Sequence, residues 1–327
     1  MRRLVSLLVL CSLAGGAGCQ KGERVYTVGF MPKLRGIPYF NACRRGAEEA
    51  ARERGIKLVY DGPETDDSNR QIEMLDQWIN SGSYDCIAVA CNNSRLVAPT
   101  LKGAADRGLP VFTYDADTTP DARRFFVNMA TYDAVARAMV DAMAEELEPK
   151  GEGKVGILTS SIQAPNQSEW ARRIYAYARE KYPKMELLEQ EQHGEDRTKG
   201  IIQAKAMIQA HKDLRGIIGL TSVSVPAAAE AVRQSGKKGA IKVTGVSTPK
   251  DMRDYVQDGT VKTVILWNPV DLGYLTVVVA DLTRRGQMPD NGTIEAGRLG
   301  TITVTDREVL LGKPMRFTRE NIDRYDF

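Results

Sequence analysis

From residue 25 onward the chain alternates short apolar segments with helical segments, and it does so twice. Strands that are apolar almost throughout and alternate with helices predict parallel sheets covered by helices on both faces. In the first half, the predicted strands are residues 25–30, 57–60, 86–91 and 110–114, and the predicted helices are residues 40–54, 69–80 and 95–107. In the second half, the predicted strands are residues 154–158, 186–191, 216–220 and 241–246, and the predicted helices are residues 168–181, 197–210 and 226–234. The pattern predicts an α/β fold with two doubly wound parallel-sheet lobes.

The two halves also resemble each other in their residues. The segment FNACRRGAEEAARERG from Phe40 is echoed by EWARRIYAYAREKYP from Glu169, about 130 residues later. Residues 126–128 and 261–267 are further predicted strands, and a helix over residues 271–284 has no counterpart in the second half, so we expect it to return to the first lobe. No Gly/Ser-rich linker separates the halves, which favours a hinge of two or three crossovers. The expected division is an N-terminal lobe of residues 25–128 plus about 268–298, and a C-terminal lobe and tail of residues 129–267 plus about 299–327.

The first residues have the layout of an export signal. Arg2 and Arg3 precede the apolar run of residues 4–13, and small residues follow up to Gly18. The run has about half of the roughly 20 apolar residues that are needed to span a bilayer. The pattern therefore predicts a cleaved signal peptide over residues 1–18.

The residue after this segment, Cys19, resembles the cysteine of a bacterial lipobox, which becomes lipidated and forms the new N-terminus. Residues 19–24 would then be the linker to a lipid anchor. Gly16 stands where the lipobox usually has leucine, which leaves plain secretion as the alternative. The expected product is an exported protein, periplasmic or at the cell surface, which contacts the membrane only through its anchor.

Composition excludes several classes of function. Lys+Arg 45 against Asp+Glu 42 gives a formal charge of +3, too balanced for a nucleic-acid partner or a polybasic membrane patch. The two histidines, His193 and His211, are too few for a His-rich metal site, and their positions near a loop start and a helix end predict surface roles. No G-x-G-x-x-G segment opens a predicted helix, and the sequence has no G-x-S-x-G or H-E-x-x-H motif. We expect no metal, no cofactor and no catalysis.

Ligands of open parallel sheets bind beyond the carboxyl ends of the strands, so the loops after each predicted strand are the candidate site. These loops carry Lys33, Tyr39, Phe40, Asp66, Asp67, Asn92, Asn93, Tyr114, Asp115, Asp117, Ser160, Gln163, Asn166, Gln167, Thr221, Ser222, Ser247, Trp267 and Asn268. Amides, hydroxyls, a few carboxylates, aromatic rings and one lysine suit a neutral polyhydroxylated ligand. Phosphate would call for more cationic groups or a glycine-rich loop.

The export signal, the two lobes and the returning helix resemble the type I periplasmic sugar-binding proteins of ABC importers, in particular the autoinducer-2-binding (Lsr-type) and rhamnose-binding branch. The resemblance covers nearly the whole mature chain. Its segments are MPKL from Met31, YDGPE from Tyr60, YDADT from Tyr114, VPAAAEA from Val225, GVSTP from Gly245, GTVK from Gly259 and NIDRYDF from Asn321.

The resemblance implies six ligand contacts. Three of these positions carry the same residue as the autoinducer-2 binders, and three carry a different one. Lys33 and Asp115 stand where autoinducer-2 binders place a lysine and an aspartate, and Gln167 matches a contacting glutamine. The changed positions are Asn166 in place of aspartate, Leu220 in place of proline and Ser222 in place of alanine. An amide both donates and accepts hydrogen bonds, whereas a carboxylate only accepts them. We therefore expect a polyol or sugar that differs somewhat from the ligand of the autoinducer-2 binders.

Three aromatic and amide residues complete the predicted site. Phe40 fits the aromatic cover of related sugar binders, and Trp267 and Asn268 lie where the third crossover would reach the cleft.

The resemblance implies a monomeric, non-catalytic receptor that captures a sugar or sugar-like molecule between its lobes and delivers it to an ABC permease. The alternative is an autoinducer-2 receptor, or a sensor component that presents its ligand to a membrane receptor. An enzyme with Lys33 as an imine-forming lysine and Asp115 as its base is disfavoured, because Lys33 is expected to donate to ligand oxygens. A transcriptional repressor of related fold is excluded, because the export signal stands where a DNA-binding headpiece would be.

Overall fold

The computed structural model describes residues 24–327. The predicted signal peptide over residues 1–18, the predicted lipidation site Cys19 and all but the last residue of the linker lie outside the described residues. Within residues 24–327, no helix has both the length and the apolar character needed to cross a bilayer.

The first lobe begins as a parallel sheet with the spatial order β2-β1-β3-β4-β5. Its strands are β1 (Thr27–Met31), β2 (Lys57–Tyr60), β3 (Cys86–Val89), β4 (Val111–Tyr114) and β5 (Phe125–Ala130). Its helices are α1 (Pro38–Arg54), α2 (Ser68–Ser81) and α3 (Ser94–Asp106). The strands are apolar because both sheet faces are covered, and β3 and β4 are buried at every residue.

The second lobe repeats this arrangement with a parallel sheet in the order β7-β6-β8-β9. Its strands are β6 (Gly153–Thr159), β7 (Met185–Gln192), β8 (Leu214–Gly219) and β9 (Lys242–Gly245). Its helices are α4 (Tyr132–Glu146), α5 (Pro165–Lys181), α6 (Arg197–Ala210), α7 (Ser224–Gln234) and α8 (Pro249–Gln257), of which α8 was not predicted. Both lobes place their second strand on one side of the first and their third and fourth strands on the other. This shared order confirms the predicted α/β fold of two doubly wound lobes.

The remaining elements connect the lobes. They are β10 (Val264–Leu266), α9 (Pro269–Arg284), β11 (Gly292–Glu295), β12 (Thr301–Thr305), β13 (Glu308–Gly312) and β14 (Met315–Phe317). The chain leaves the first lobe after β5, returns after β10 and leaves again after β13. Within residues 24–327 the chain therefore crosses between the lobes three times, and these three segments form the hinge. Helix α9 packs on α1 in the first lobe, as predicted.

The expected assignment of residues 299–327 to the C-terminal lobe is wrong for residues 301–312. Strand β13 pairs in parallel with β5, with Leu310 opposite Asn128, and β11 and β12 extend the same sheet as antiparallel strands. Along β12 buried and exposed residues alternate, as in a strand with one covered face. Only from β14 does the chain join the second lobe, by pairing with β10. Residues 301–312 thus belong to the first lobe because their strands join its sheet, although they follow the second lobe in chain order.

The globular part contains three cysteines, Cys43, Cys86 and Cys91, which are buried free thiols. Burial raises the pKa of the Cys86 thiol to about 12, so this sulfur remains protonated and packs as a small apolar group.

Glu146 is a buried carboxyl in the last turn of α4. Its side chain is 7% exposed, and Oε1 has no hydrogen-bond partner. Burial raises its pKa from 4.5 to about 7, although Lys262 and Lys242 oppose the shift. A carboxyl with a raised pKa destabilises the fold once it ionises, so the free energy of unfolding falls as the pH rises from 4.5 towards 7.

We expect Glu146→Gln to raise the free energy of unfolding by about 2 kcal/mol at pH 8 and by much less at pH 4.5, since the amide carries no charge to desolvate. Urea denaturation of both proteins at the two pH values measures the difference. Glu148→Gln, an exposed position two residues later, is the control and should leave both values unchanged. A difference between Glu146→Gln and the parent that does not vary with pH would contradict this account.

Candidate functional site

A small cavity lies between the lobes, at the carboxyl ends of both sheets. It is lined by Lys33, Ile37, Tyr39, Phe40, Asp115, Asn166, Gln167, Trp170, Glu195, Leu220, Thr221, Ser222, Val246 and Trp267. The loops that follow β1, β4, β7, β8, β9 and β10 supply most of these residues, and the N-terminal turns of α1 and α5 supply the others. The cavity therefore lies where the strand order of each sheet reverses, the usual ligand site of doubly wound sheets.

The polar centre of the cavity is a cluster of three buried side chains from both lobes. Lys33 Nζ donates to Asn166 Oδ1 at 2.9 Å and lies 3.4 Å from Asp115 Oδ2. Asn166 Nδ2 donates to the same aspartate oxygen at 3.4 Å. Lys33 and Asp115 belong to the first lobe and Asn166 to the second, so the cluster joins the two lobes directly.

The amide at position 166 suits this cluster because it accepts from the ammonium and donates to the carboxylate at the same time. An aspartate at this position would bring a second carboxylate close to Asp115. Two like charges that close disfavour ionisation of one of them. Asparagine in place of aspartate at position 166 therefore changes which hydrogen-bonding groups the cavity can offer to a ligand.

Aromatic side chains form one wall beside the cluster. Tyr39 donates its hydroxyl to Asp115 Oδ1 at 2.8 Å and accepts from Trp267 Nε1 at 2.9 Å. Burial and the nearby Asp115 raise the pKa of Tyr39, which keeps the phenol protonated as a donor. Trp267 packs edge-on against Tyr39 and lies 5.8 Å from Trp170 between ring centroids. Such a wall can cover the C–H face of a sugar ring.

Phe40 lies on the same wall, at the start of α1. Its ring contacts Tyr39 and Tyr114 edge-on, at 5.1 and 6.4 Å between centroids. The helix begins at Pro38, whose fixed backbone angle suits the first helical position, so Tyr39 and Phe40 are held by the first turn.

Gln167 mainly holds the loop that follows β6. Its Oε1 accepts from the Ser160 backbone N–H at 2.9 Å and from the Thr159 hydroxyl, and its Nε2 donates to Ser160 Oγ at 2.7 Å. The side chain lines the cavity, but its oxygen is occupied by this loop. The geometry gives Gln167 a positioning role.

The structure brings together eight of the nine residues that were predicted to bind ligand. Leu220 and Ser222, after β8, line the second-lobe wall. Asn268 is the exception, because it caps α9: its Oδ1 accepts from the backbone N–H groups of Val270 at 3.0 Å and Asp271 at 3.4 Å, and it does not line the cavity. The prediction of Asn268 as a ligand contact is not supported, since the unpaired N–H groups of the first helical turn occupy its oxygen.

Trp170 and Glu195 were not predicted as site residues. Trp170 lies four residues after Asn166 on α5 and is thus on the same helix face, a spacing that could have revealed it. Glu195 follows β7, and burial raises the pKa of its carboxyl to about 7. This loop too follows a strand, which is the signal that could have identified Glu195.

The prediction of a surface role for His193 is wrong. Its side chain is buried, with Nε2 2.7 Å from Ser224 Oγ, and burial lowers its pKa to about 4. The imidazole is therefore neutral near pH 7. It lies behind the cavity wall and supports the loop that carries Glu195.

A second contact joins the lobes at the mouth of the cleft. Asn93 Nδ2 donates to Gln163 Oε1 at 2.6 Å, while Asn93 Oδ1 caps α3. Asn93 belongs to the first lobe and Gln163 to the second. Together with the contact between Lys33 and Asn166, this bond holds the cleft in a closed arrangement.

Comparisons with known proteins agree with this architecture. A family profile described as periplasmic binding protein domain matches residues 28–287. The ribose import binding protein RbsB of Bacillus subtilis is 24% identical over 279 residues, which cover 84% of this chain and 88% of that protein.

Two solved structures are similar along their whole length. LsrB from Clostridium saccharobutylicum in complex with AI-2 has a TM-score of 0.87 at 25% identity, covering 92% of this chain and 100% of that one. A solute-binding protein of an ABC transporter from Clostridium phytofermentas with bound L-rhamnose has a TM-score of 0.87 at 26% identity, covering 92% of this chain and 98% of that one. With the profile matched over most of its length, this chain belongs to the periplasmic binding protein domain family.

Proposed function

We propose that this chain is an extracytoplasmic solute-binding protein that captures a sugar or sugar-like small molecule between its lobes and delivers it to an ABC transporter. The observation that carries the proposal is the buried cluster of Lys33, Asp115 and Asn166, which both lobes supply to one cavity. A ligand held by this cluster contacts both lobes at once, so it favours the closed form over the open form.

The chemistry of the cavity supports a polyhydroxylated ligand. Lys33 offers donors, Asp115 offers acceptors and Asn166 offers both, which suits the paired donor and acceptor roles of sugar hydroxyls. The tryptophan and tyrosine rings suit the apolar face of a sugar ring.

In this proposal the lining residues that were predicted from the sequence have distinct roles. Lys33, Asp115 and Asn166 bind hydroxyl groups, and Phe40 and Trp267 cover the ring. Leu220 and Ser222 limit the size of the ligand on the second-lobe side. Gln167 acts through the loop that it holds.

Closure is a population shift that the ligand can drive only by binding the closed form more tightly. The direct bonds between Lys33 and Asn166 and between Asn93 and Gln163 stabilise part of that closed form without a ligand. A ligand adds the contacts that make closure dominant, and the closed form is the one that docks on the permease.

The proposed role is binding without catalysis. The sequence relatives include a ribose import binding protein and a D-allose-binding periplasmic protein. An imine-forming lysine needs a free amine, whereas Lys33 donates to an amide oxygen and is paired with a carboxylate.

Titration of the mature protein with D-ribose, D-allose, L-rhamnose, D-arabinose and autoinducer-2 tests the proposal, by thermal shift and by calorimetry. One of these compounds should raise the melting temperature, because a ligand that binds only the folded form at 100 times its Kd stabilises it by about 2.7 kcal/mol. Recovery of the compound unchanged after incubation is the second expected result. No thermal shift with any of the five would contradict the proposal.

The second candidate function is that of an autoinducer-2 receptor or of a component that presents its ligand to a membrane receptor. Its support is the similarity to LsrB in complex with AI-2. If autoinducer-2 alone binds, this candidate is favoured. Stimulation of ATP hydrolysis in a reconstituted ABC permease by the liganded protein would instead favour the importer role.

The proposal includes export and an anchor at Cys19, with a monomeric globular part. The intact mass of the protein recovered from its native membrane would exceed that of residues 19–327 by the mass of the acyl groups. Recovery of a soluble product with an unmodified N-terminus would contradict the lipid anchor at Cys19 but not the export of the protein.

A further inference from the structure

Glu195 is a cavity-lining carboxylate on the second-lobe wall, and no role has been assigned to it above. It follows β7, in the loop between that strand and α6. Its position on the second lobe is across the cleft from Lys33 and Asp115, which belong to the first lobe.

The backbone at this residue has an uncommon conformation. Only four residues other than glycine have positive φ within residues 24–327: Asp115 at 62°, Glu195 at 56°, Asp306 at 49° and Arg307 at 64°. Asp306 and Arg307 form the tight turn between β12 and β13, where such angles are ordinary. The other two are the two carboxylates that line the cavity. Residues held in this region often occur at functional sites because the surrounding structure must compensate for their cost.

A chain of hydrogen bonds behind the wall ends on the Glu195 carboxylate. Thr221 Oγ1 accepts from the backbone N–H groups of Val223 and Ser224, so its own hydrogen is free to go to Glu195 Oε2 at 3.1 Å. Ser224 Oγ lies 3.0 Å from Thr221 Oγ1 and 2.7 Å from His193 Nε2. The Thr221 hydroxyl, whose oxygen is already occupied by backbone donors, holds Glu195 as an acceptor.

The charges that face Glu195 come from several elements. Across the cleft, Lys33 favours its ionised form and Asp66, in the loop after β2, opposes it. On its own side, the Thr221 hydroxyl favours ionisation and the neutral His193 lies at the far end of the hydrogen-bond chain. Within residues 24–327 no lysine, arginine or histidine forms an ion pair with Glu195. The carboxylate thus faces the cavity without a cation of its own.

We propose that Glu195 is a specificity-determining ligand residue, which accepts a hydrogen bond from a donor group of the bound sugar on the second-lobe side, opposite Asp115. The inference rests on the proposed sugar-binding function. If Glu195 accepts from the ligand, the ligand must have a further donor group in addition to those that bind to Lys33, Asp115 and Asn166. Sugars that lack a hydroxyl at that position are disfavoured, because the carboxylate would lose water on closure without gaining a hydrogen bond from the ligand.

The role of Glu195 as an acceptor predicts a pH dependence. With the carboxyl half ionised near pH 7 in the free protein, a ligand donor that needs the ionised form binds about tenfold more tightly at pH 8 than at pH 6. In Glu195→Gln this dependence disappears, and affinity at pH 8 falls about tenfold or more, since a bond to a charged acceptor is lost.

Calorimetric titration with L-rhamnose, D-ribose and autoinducer-2 at pH 6, 7 and 8 tests this inference on the mature protein, on Glu195→Gln and on Glu191→Gln. Glu191 is an exposed residue of β7, so its variant should match the parent at every pH. Melting temperatures of the three proteins establish that each is folded.

The possible results separate the inference from the function on which it rests. A parent affinity that is flat between pH 6 and 8, or a Glu195→Gln variant that binds as the parent does, overturns the inference alone. The parent measurement needs no variant, so a failure of Glu195→Gln to fold would not prevent the test. If D-allose or D-arabinose is the compound that binds, the three proteins are titrated with that sugar instead. If none of the five compounds of the thermal-shift test binds the parent, the proposed function fails and the inference fails with it.

Discussion

Replacing Asp115 by alanine is expected to weaken sugar binding by at least about a hundredfold. Asp115 accepts from the Tyr39 hydroxyl at 2.8 Å, from Asn166 Nδ2 at 3.4 Å, and is paired with Lys33 at 3.4 Å. Lys33 is 5% exposed, so the variant leaves a buried ammonium without its counter-charge. Removing one partner of such a pair costs about 3–5 kcal/mol, of which 2.7 kcal/mol already corresponds to a hundredfold.

Calorimetry with the compound that binds the parent measures this loss, and the melting temperature establishes how much of it reflects unfolding. Asp115→Asn keeps the shape and removes only the charge, so we expect a smaller loss of about tenfold. Asp121→Ala, at an exposed turn in the same lobe, is the matched control. Affinity within threefold of the parent in Asp115→Ala would show that the cluster is not the ligand site.

The second large effect concerns the packing of α1 against α9. A Cβ atom at Gly273 would lie 1.8 Å from the Cys43 carbonyl oxygen, and one at Gly46 would lie 1.7 Å from the Val270 carbonyl oxygen. Both contacts are with backbone atoms, so a side chain can be accommodated only if the helices move apart. We expect Gly273→Ala to lower the free energy of unfolding by about 3 kcal/mol.

Thermal and urea denaturation of the ligand-free protein measure this change. Gly103→Ala is the control, since Gly103 lies inside α3 with open space around its Cα. There the substitution should be neutral or stabilise by up to about 1 kcal/mol, because alanine is the better helix former. Equal effects of the two substitutions would mean that the close approach of the helices is not what makes Gly273 necessary.

Close helix packing also explains why α9 belongs to the first lobe. Gly46 and Gly273 let the two helix backbones approach, which fastens the returning segment to α1. Asn268 caps the first turn of the same helix and directly follows Trp267 in the chain. The position of Trp267 in the cavity thus depends on how α9 is attached.

Much of the candidate site follows from local sequence patterns. Lys33, Asp115 and Ser222 are in loops after apolar strands and Asn166 is in the first turn of the helix after such a loop, and parallel strands bring these segments to one edge of a sheet. Asn268 occupies the same kind of position and still lies outside the cavity, because a helix cap and a ligand contact require the same residue types in the same places.

The alternation of strands and helices, the duplication of the lobes and most of the polar loops at the sheet edges follow from the sequence alone. These properties depend on neighbouring residues, whose periodicity is visible along the chain. Three other features required the three-dimensional fold: β13 pairs with β5 and carries β12 with it, His193 is buried, and Glu195 lies within electrostatic reach of Lys33 across the cleft. Each of these depends on residues far apart in the chain, and no local pattern encodes which distant strand or side chain will be the neighbour.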